Sequence, residues 1–427
     1  MKTASKKVIN GWAMYDWANS AYSLIITSAI FPTYYTFVAP EHVRFVGRTF
    51  DRASLASYSI SFSFLIIALL SPILSSIADY KGNKKGFMQF FCYLGSAACI
   101  GLTFFTGENI SFGIICSILG SIGFCGSIVF YNAYLPEIAA EEDQDRVSAK
   151  GFALGYVGSV ILMIVCLAAI MLNDKLHWGF GAWPTRLSFL AVGLWWAGFA
   201  QITFHTLPPS RASQQRPERN IVTNGFYELK KVWIQLKSYP VTKRFLTSFF
   251  FYNMGVQTVM YLATYFASQE LKLETAQLII TVLIIQLVAI GGALIFSKIS
   301  NRIGNIYTLF ILILIWVGIC ISAYFVTTAT QFFGLAFAVG MVMGGIQSMS
   351  RSTYSKLLPP TKDTASYFSF YDVCDKIGTV IGTLSFGYVS EFFGGMRNSV
   401  LALMIFFIIG GILLLFVDPK RKLVAVA

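Results

Sequence analysis

Apolar residues run along this chain in long blocks rather than in the narrow stripes of surface helices. Blocks such as Ile60–Leu70, Leu278–Phe296 and Leu401–Phe416 each extend to about 20 residues once neutral Ser, Thr and Gly are included, the length a bilayer core requires. They predict membrane spans near Gly11–Phe37, Ala53–Ser76, Phe87–Phe105, Ser111–Ala133, Ala149–Leu172 and Arg186–Thr206. A second group follows near Thr242–Ser268, Thr275–Ser297, Ile306–Val326, Gln331–Tyr354, Ala365–Ser390 and Asn398–Val417. The expected plan is therefore an all-α polytopic protein: a six-helix bundle over 1–206, a linker over 207–241, and a second six-helix bundle with a short tail over 242–427. The linker opens with Pro208-Pro209 and carries Phe226, Leu229, Trp233 and Leu236 at helical spacing beside Lys230, Lys231 and Lys237. That pattern predicts an amphipathic helix, lying on the membrane surface or on the protein's own face.

Composition agrees: 56% of residues are hydrophobic and 12% charged. The net charge of +12 does not signal nucleic acid, because the basic residues form no aromatic-interleaved patch and fall instead in alternate connections between spans. With both termini on one side, 24 of the 32 Lys and Arg lie on that side and 7 opposite, with Lys376 inside a span. Lys and Arg in short loops mark the cytoplasmic face, so both termini are expected there. Asp16, Asn19 and Pro32 in the first apolar segment, with no small-residue cleavage pattern, identify it as a span and not a removable signal. The seven cysteines lie in apolar segments without ligand spacing, so neither a disulfide framework nor a metal site is expected. His42, His177 and His205 form no His/carboxylate pair, and no Gly-rich loop matches a nucleotide-binding signature; no enzyme chemistry and no cofactor are expected.

Candidate chemistry lies in the polar residues within the spans. An ionisable group in hydrocarbon costs about 2.5–3.5 kcal/mol on insertion scales, which makes each one a functional candidate. In the first span Asp16, Asn19, Ser20, Ser23 and Thr27 fall on one helical face, and in the seventh Asn253, Gln257, Tyr261 and Thr264 do the same. The tenth ends with Gln347, Ser350, Arg351 and Tyr354 on one face. The eleventh carries Asp372 and Lys376 one turn apart, with Asp375 on an adjacent face. Counted from Ala365, Lys376 sits roughly 16 Å deep, near the bilayer midplane.

The two halves echo each other. Ser75-x-x-x-Asp79-Tyr80-Lys81-Gly82-Asn83-Lys84-Lys85 follows the second span and Ser297-x-x-x-Asn301-Arg302-Ile303-Gly304-Asn305 the eighth. Both resemble the loop signature of the major facilitator superfamily, which implies a gating role for Asp79, Gly82, Lys84, Arg302 and Gly304 on the cytoplasmic side. Leu135-Pro136 and Leu358-Pro359 repeat after the fourth and tenth spans, and Gly151, Gly155 and Gly158 on the fifth, with Gly378 and Gly382 on the eleventh, predict close helix packing.

At Gly11-Trp12-Ala13-Met14-Tyr15-Asp16-Trp17-Ala18-Asn19-Ser20-Ala21-Tyr22 the sequence resembles the vacuole effluxer-like branch of the major facilitators, whose eukaryotic members export amino acids from the vacuole. Tyr131-Asn132-Ala133-Tyr134-Leu135-Pro136-Glu137, Ser148–Tyr156 and Gly345–Ser352 resemble it too. The resemblance implies the major facilitator fold with twelve spans, and transport involving Asp16, Arg351 and Lys376. In the eleventh span the chain departs from the family pattern, with Asp375-Lys376 and Gly382-Thr383 where Gly-Lys and Gly-Pro are expected. The functional expectation is a secondary carrier, proton-linked or facilitative, for amino acids or short peptides. Lys376 or Arg351 would hold a substrate carboxylate and Asp16 or Asp372 a coupling proton, among a wider set of Asn19, Tyr22, Tyr131, Asn132, Asn253, Gln257 and Gln347. A carrier of sugars or drug-like compounds, and a non-transporting membrane receptor, are the alternatives. A multi-pass monomer in a bacterial inner membrane, with the lipid bilayer and a small solute as its partners, completes the expectation.

Overall fold

The computed structural model of the 427-residue chain describes residues 2–176, 179–210, 227, 230, 234, 239–392 and 395–418. Twelve spans cross the body of the protein. The first is composite, Lys6–Ala21, Tyr22–Ala29 and Ile30–Val38; the rest of the first bundle is Arg52–Lys81, Lys84–Leu102, Ile110–Ala133, Gln144–Leu176 and Trp183–Thr206. Spans seven to twelve are Pro240–Glu270, Thr275–Ile303, Asn305–Phe325, Ala329–Leu357, Thr364–Phe392 and Met396–Leu415. Among the described residues eight helices are long and apolar enough to cross a membrane by length and composition. The other four are informative: the first, seventh and eleventh carry the polar stripes, and the third opens on Lys84 and Lys85.

The two bundles repeat one packing plan. Span 1 packs on spans 5 and 6, span 3 on spans 4 and 6, and span 2 on span 4; span 7 packs on 11 and 12, span 9 on 10 and 12, and span 8 on 10. Adding six to each first-half pair gives its partner in the second half, the signature of a fold built from two parallel repeats. Between the bundles, span 2 meets span 11 and span 5 meets span 8, again a pair related by six. Close approach depends on glycine at matched places: a Cβ on Gly155 would strike Ser20 of span 1, and one on Gly382 would strike Thr258 of span 7.

Local chemistry fixes the ends. Span 2 starts at Asp51, whose carboxylate accepts the backbone N–H groups of Ala53 (2.9 Å) and Ser54 (3.1 Å). Those bonds, the one from Ser54 first, hold this exposed carboxyl below the usual carboxylate range. The same span ends at Gly82 with φ +63°, and Asn83 then caps span 3 through Gly86 N–H (3.1 Å), so a two-residue turn suffices. At the opposite end of span 2 the sequence predicted only a connection, but the chain forms an antiparallel hairpin, β1 (His42–Phe45) and β2 (Arg48–Asp51), turning at Val46-Gly47 with φ of +47° and +76°. These two ends are called here the linker side and the hairpin side. The amphipathic linker helix falls outside the described residues apart from Tyr227, Lys230 and Ile234, each helical; the tail from 419 also falls outside them.

Candidate functional site

Two charged centres lie within the spans, and they are built differently. On the linker side, Arg351 of span 10 reaches across to the first bundle. Its Nη1 and Nη2 each lie 3.2 Å from Asp16 Oδ2 of span 1, and Nη1 also donates to Asn132 Oδ1 of span 4 (3.3 Å). Nε donates to Ser148 Oγ (2.9 Å) and Nη2 to the Ser148 carbonyl (2.8 Å) of span 5. Tyr131 completes the carboxylate's shell by donating its hydroxyl to Asp16 Oδ2 at 2.7 Å. The guanidinium carbon stands 4.1 Å from the Phe152 ring centroid and 4.9 Å from that of Trp12, so its faces are covered by aromatic rings. Arg351 is only 3% exposed and Asp16 6%. One side chain thus ties one bundle to three helices of the other, using the planar fork that only arginine has.

The second centre lies on span 11. Lys376 Nζ donates to Asp375 Oδ2 at 2.7 Å and stands 3.6 Å from Asp372 Oδ1. Asp375 Oδ1 accepts from Asn253 Nδ2 (2.5 Å) and Gln257 Nε2 (2.9 Å) of span 7. Lys376 also faces the Phe64 ring of span 2, 5.3 Å from its centroid, and so joins the bundles. From Lys376 a cavity of about 420 Å³ extends toward the hairpin, past Tyr22, Thr27, Phe31 and Ser121 to Arg52 at the end of span 2. Lys376 and Arg52 are the charged side chains of its wall.

Two outer clusters close the linker side. Asp79 Oδ2 accepts the Ser366 backbone N–H (2.8 Å) and hydroxyl (2.9 Å) at the start of span 11, and Lys84 Nζ lies 3.0 Å from Asp79 Oδ1. The same Nζ pairs with Glu137 and donates to Thr364 Oγ1 (2.6 Å). In the pseudo-equivalent seam Asp145, at the start of span 5, accepts from Ser300 Oγ (2.9 Å), Asn305 Nδ2 (2.7 Å) and Lys356 Nζ (2.7 Å).

The structure distributes the sequence-derived residues among these places. It brings Asp16, Tyr131, Asn132 and Arg351 together, and groups Asn253 and Gln257 with Lys376, through Asp375. Gln347 accepts from Tyr156 across the bundles (2.7 Å), Tyr22 lines the cavity, and Asn19 is buried with its Nδ2 unpartnered. Asp79, Gly82 and Lys84 form one gate cluster, whereas Arg302 and Gly304 stand exposed; Asn305 and Ser300 occupy the contact those positions were expected to make. The polar stripe of span 1 does not run on as one α-helical face: the backbone passes into π-helical geometry over Tyr22–Ala29, visible in the Ile30 backbone N–H bonding the Ile25 carbonyl five residues back. The wider turn re-aims Ser23 and Thr27, which still face the cavity. Sequence reasoning gave Asp375 no role because neighbours at i and i+1 do not face each other on a helix, and missed Asp145 and Lys356, which read as ordinary helix-end charges. The signal for Asp375 was its departure from the family's Gly-Lys pattern.

The family described as Vacuole effluxer Atg22 like matches residues 4–427. The uncharacterized MFS-type transporter YxiO of Bacillus subtilis (strain 168) is 34% identical over 419 residues, covering 97% of this chain and 95% of its own. Autophagy-related protein 22-1 of Aspergillus terreus (strain NIH 2624 / FGSC A1156) is 24% identical, covering 83% of this chain and 73% of its own. Among solved structures, the major facilitator transporter FucP in the outward conformation superposes with a TM-score of 0.70 at 14% identity, over 96% of this chain and 98% of that one. The proton:xylose symporter XylE bound to 6-bromo-6-deoxy-D-glucose superposes with a TM-score of 0.72 at 14% identity, over 97% and 96%. At such identities the likeness is one of fold.

Proposed function

Because this chain belongs to the Atg22-like vacuole effluxer family of major facilitator transporters, we propose that it is a proton-driven secondary carrier of small solutes bearing a carboxylate, amino acids or short peptides first. One observation carries the reading: the deep wall of the cavity presents the ammonium of Lys376, held in place by Asp375 and Phe64. A volume of about 420 Å³ lies within the range of small-molecule sites, about 300–1,000 Å³. Tyr22, Phe31, Phe64 and Phe124 supply an apolar wall for a side chain, and Ser23, Thr27, Ser117 and Ser121 supply hydroxyls. Transport then proceeds by alternating access, with the linker side shut by the Arg351, Lys84 and Asp145 clusters while the cavity reaches toward the hairpin. In this reading the linker side and both termini face the cytoplasm of a bacterial inner membrane, and the protein works as a monomer.

The test is uptake of a labelled amino-acid pool into proteoliposomes, with and without an imposed pH gradient, by the wild type and Lys376→Ala. Gradient-enhanced uptake lost in the variant supports the reading. Movement of carboxyl-free compounds alone would favour a sugar or drug-like carrier. Binding without movement would favour a receptor.

A further inference from the structure

The buried charges of the two centres do not balance equally. Asp16 and Arg351 match one for one, and Asp16 Oδ2 already accepts from Tyr131 and from both terminal nitrogens of Arg351. On span 11, two carboxylates share the single Lys376. Both oxygens of Asp375 are engaged as acceptors: Oδ1 takes Asn253 and Gln257, and Oδ2 takes the lysine. An ionised carboxylate only accepts, so Asp375 is the ionised partner. Asp372 is different. It is 6% exposed, its Oδ1 stands 3.6 Å from Lys376, and its Oδ2 is buried with no hydrogen-bond partner. A buried carboxylate oxygen facing nothing is unfavourable as an anion, and a proton removes the charge outright.

Resting on the carrier reading above and deepening it, we infer that Asp372 holds a proton in this state, closed on the linker side, and is the group that couples solute movement to the proton gradient, whereas Asp16 is a structural lock. From the hairpin side the proton arrives through Lys376, which lines the cavity and stands 3.6 Å from Asp372 Oδ1: an N–H bond of the ammonium breaks as the O–H bond forms at Asp372, and hydronium in the cavity restores the ammonium, leaving water. Asp372 lies one helical turn nearer the linker side than Lys376 and does not line the cavity, so opening of the linker side exposes it to water. There the O–H bond breaks, the carboxylate keeps the electron pair and is solvated, and the proton leaves to water. A metal cation fits poorly, since it needs several oxygens and one carboxylate oxygen is free. The ionisable groups that act on Asp372 are Lys376, Asp375 and Cys374 on its own span and Cys125 on span 4, while Tyr371, the residue before it, and Tyr261 of span 7 face Asp375, and Tyr252 of span 7 faces Tyr371. Span 2 keeps its charges at its ends, Arg52, Asp79 and Lys81, and span 12 has Arg397 at its hairpin end.

Two measurements on the full-length protein separate this inference from the substrate assignment. Infrared spectra of the purified protein in lipid should show the C=O stretch of a protonated carboxyl in the wild type and in Asp16→Asn, lost in Asp372→Asn. Under a gradient of about one pH unit, a carrier moving one proton per solute concentrates it up to about tenfold, and Asp372→Asn should lower that ratio to one. Asn has the shape of a protonated Asp, so the variant preserves packing. A protonated-carboxyl band that survives in Asp372→Asn, its absence from the wild type, or pH-driven or sodium-driven accumulation by the variant overturns the inference. If the wild type moves no amino acid, the preceding reading falls, and the infrared comparison still decides the protonation of Asp372.

Discussion

Replacing Arg351 by Gln should open the linker side. The guanidinium makes two bonds to Asp16, two to Ser148 and one to Asn132, so its loss removes its bonds to spans 1 and 4, leaves span 5 tied to span 10 through Ser148–Ser348, Tyr156–Gln347 and Asp145–Lys356, and leaves Asp16 a buried charge with only Tyr131 as donor. Removing one partner of a buried pair costs about 3–5 kcal/mol. That cost falls on the closed state, because an open linker side lets water solvate Asp16. At about 1.4 kcal/mol per tenfold, the closed-to-open ratio shifts by about a hundredfold to a few thousandfold. Arg351→Lys keeps the charge but loses the fork, so its shift is smaller. The assay is the distance distribution between nitroxides on Lys81→Cys and Lys362→Cys, both exposed on the linker side of the inter-bundle seam, in a Cys374→Ala background, since the other six cysteines are buried. The wild type should give one short distance and Arg351→Gln a longer population. A distribution that does not move with Arg351→Gln refutes the reasoning that this pair holds the bundles together.

The same distance measurement should respond to Asp79→Ala, which strips the Ser366 bonds from the start of span 11 and leaves Lys84, 0% exposed, with Glu137 as its remaining carboxylate; hydrogen bonds to charged groups are worth about 1.5–3 kcal/mol, giving at least a tenfold shift. Lys356→Met leaves Asp145 held by Ser300 and Asn305 alone and should loosen the seam between spans 5 and 8, read as faster hydrogen exchange at the start of span 5. Gly340→Ala places a Cβ 2.5 Å from the Ile285 carbonyl oxygen, a backbone atom that cannot swing aside. It should cost about 1–3 kcal/mol and lower the unfolding temperature in detergent, with the effect confined to stability.

Much of this architecture was legible because the bilayer imposes a length and an apolarity that a sequence cannot disguise. Each of the twelve expected spans has its helix, and spans 1, 2, 5 and 8 run a turn or more past the apolar block, since helices continue into the interfacial region until a cap such as Gly82 stops them. Less visible was anything set by contacts between distant spans. The Arg351–Asp16 pair joins residues 335 apart, and periodicity places each on a face without naming its partner. The hairpin at His42–Asp51 escaped because Val46 adopts a positive φ that β-branched residues rarely take, so the turn carried no Asn-Gly signal. The π turn at Tyr22–Ala29 has no compositional mark, and it shifts the register of the residues that face the cavity.

The chemistry of the closure bears on why a carrier would use charges at this seam. Spans 2 and 11 and spans 5 and 8 meet through large apolar helices, yet their linker-side ends are joined by Asp79, Lys84, Glu137, Asp145 and Lys356 instead of a run of Leu and Phe. Burying apolar side chains favours closure by about 25 cal/mol for each Å² removed from water, with nothing to offset it when the seam must part. A buried ion pair behaves otherwise, since its attraction is roughly cancelled by the hydration it forgoes. When the bundles separate, water restores what the partners lose, so the two states stay close in free energy and a single bound solute or proton can tip them. Substituting the Asp145–Lys356 pair by a matched apolar pair such as Asp145→Leu with Lys356→Leu should therefore leave the fold intact and lock the linker side shut. Transport would fall by at least tenfold while the short nitroxide distance persists, the opposite of what Lys356→Met alone produces. Full transport by the double variant would show that the ionic character of the seam is incidental.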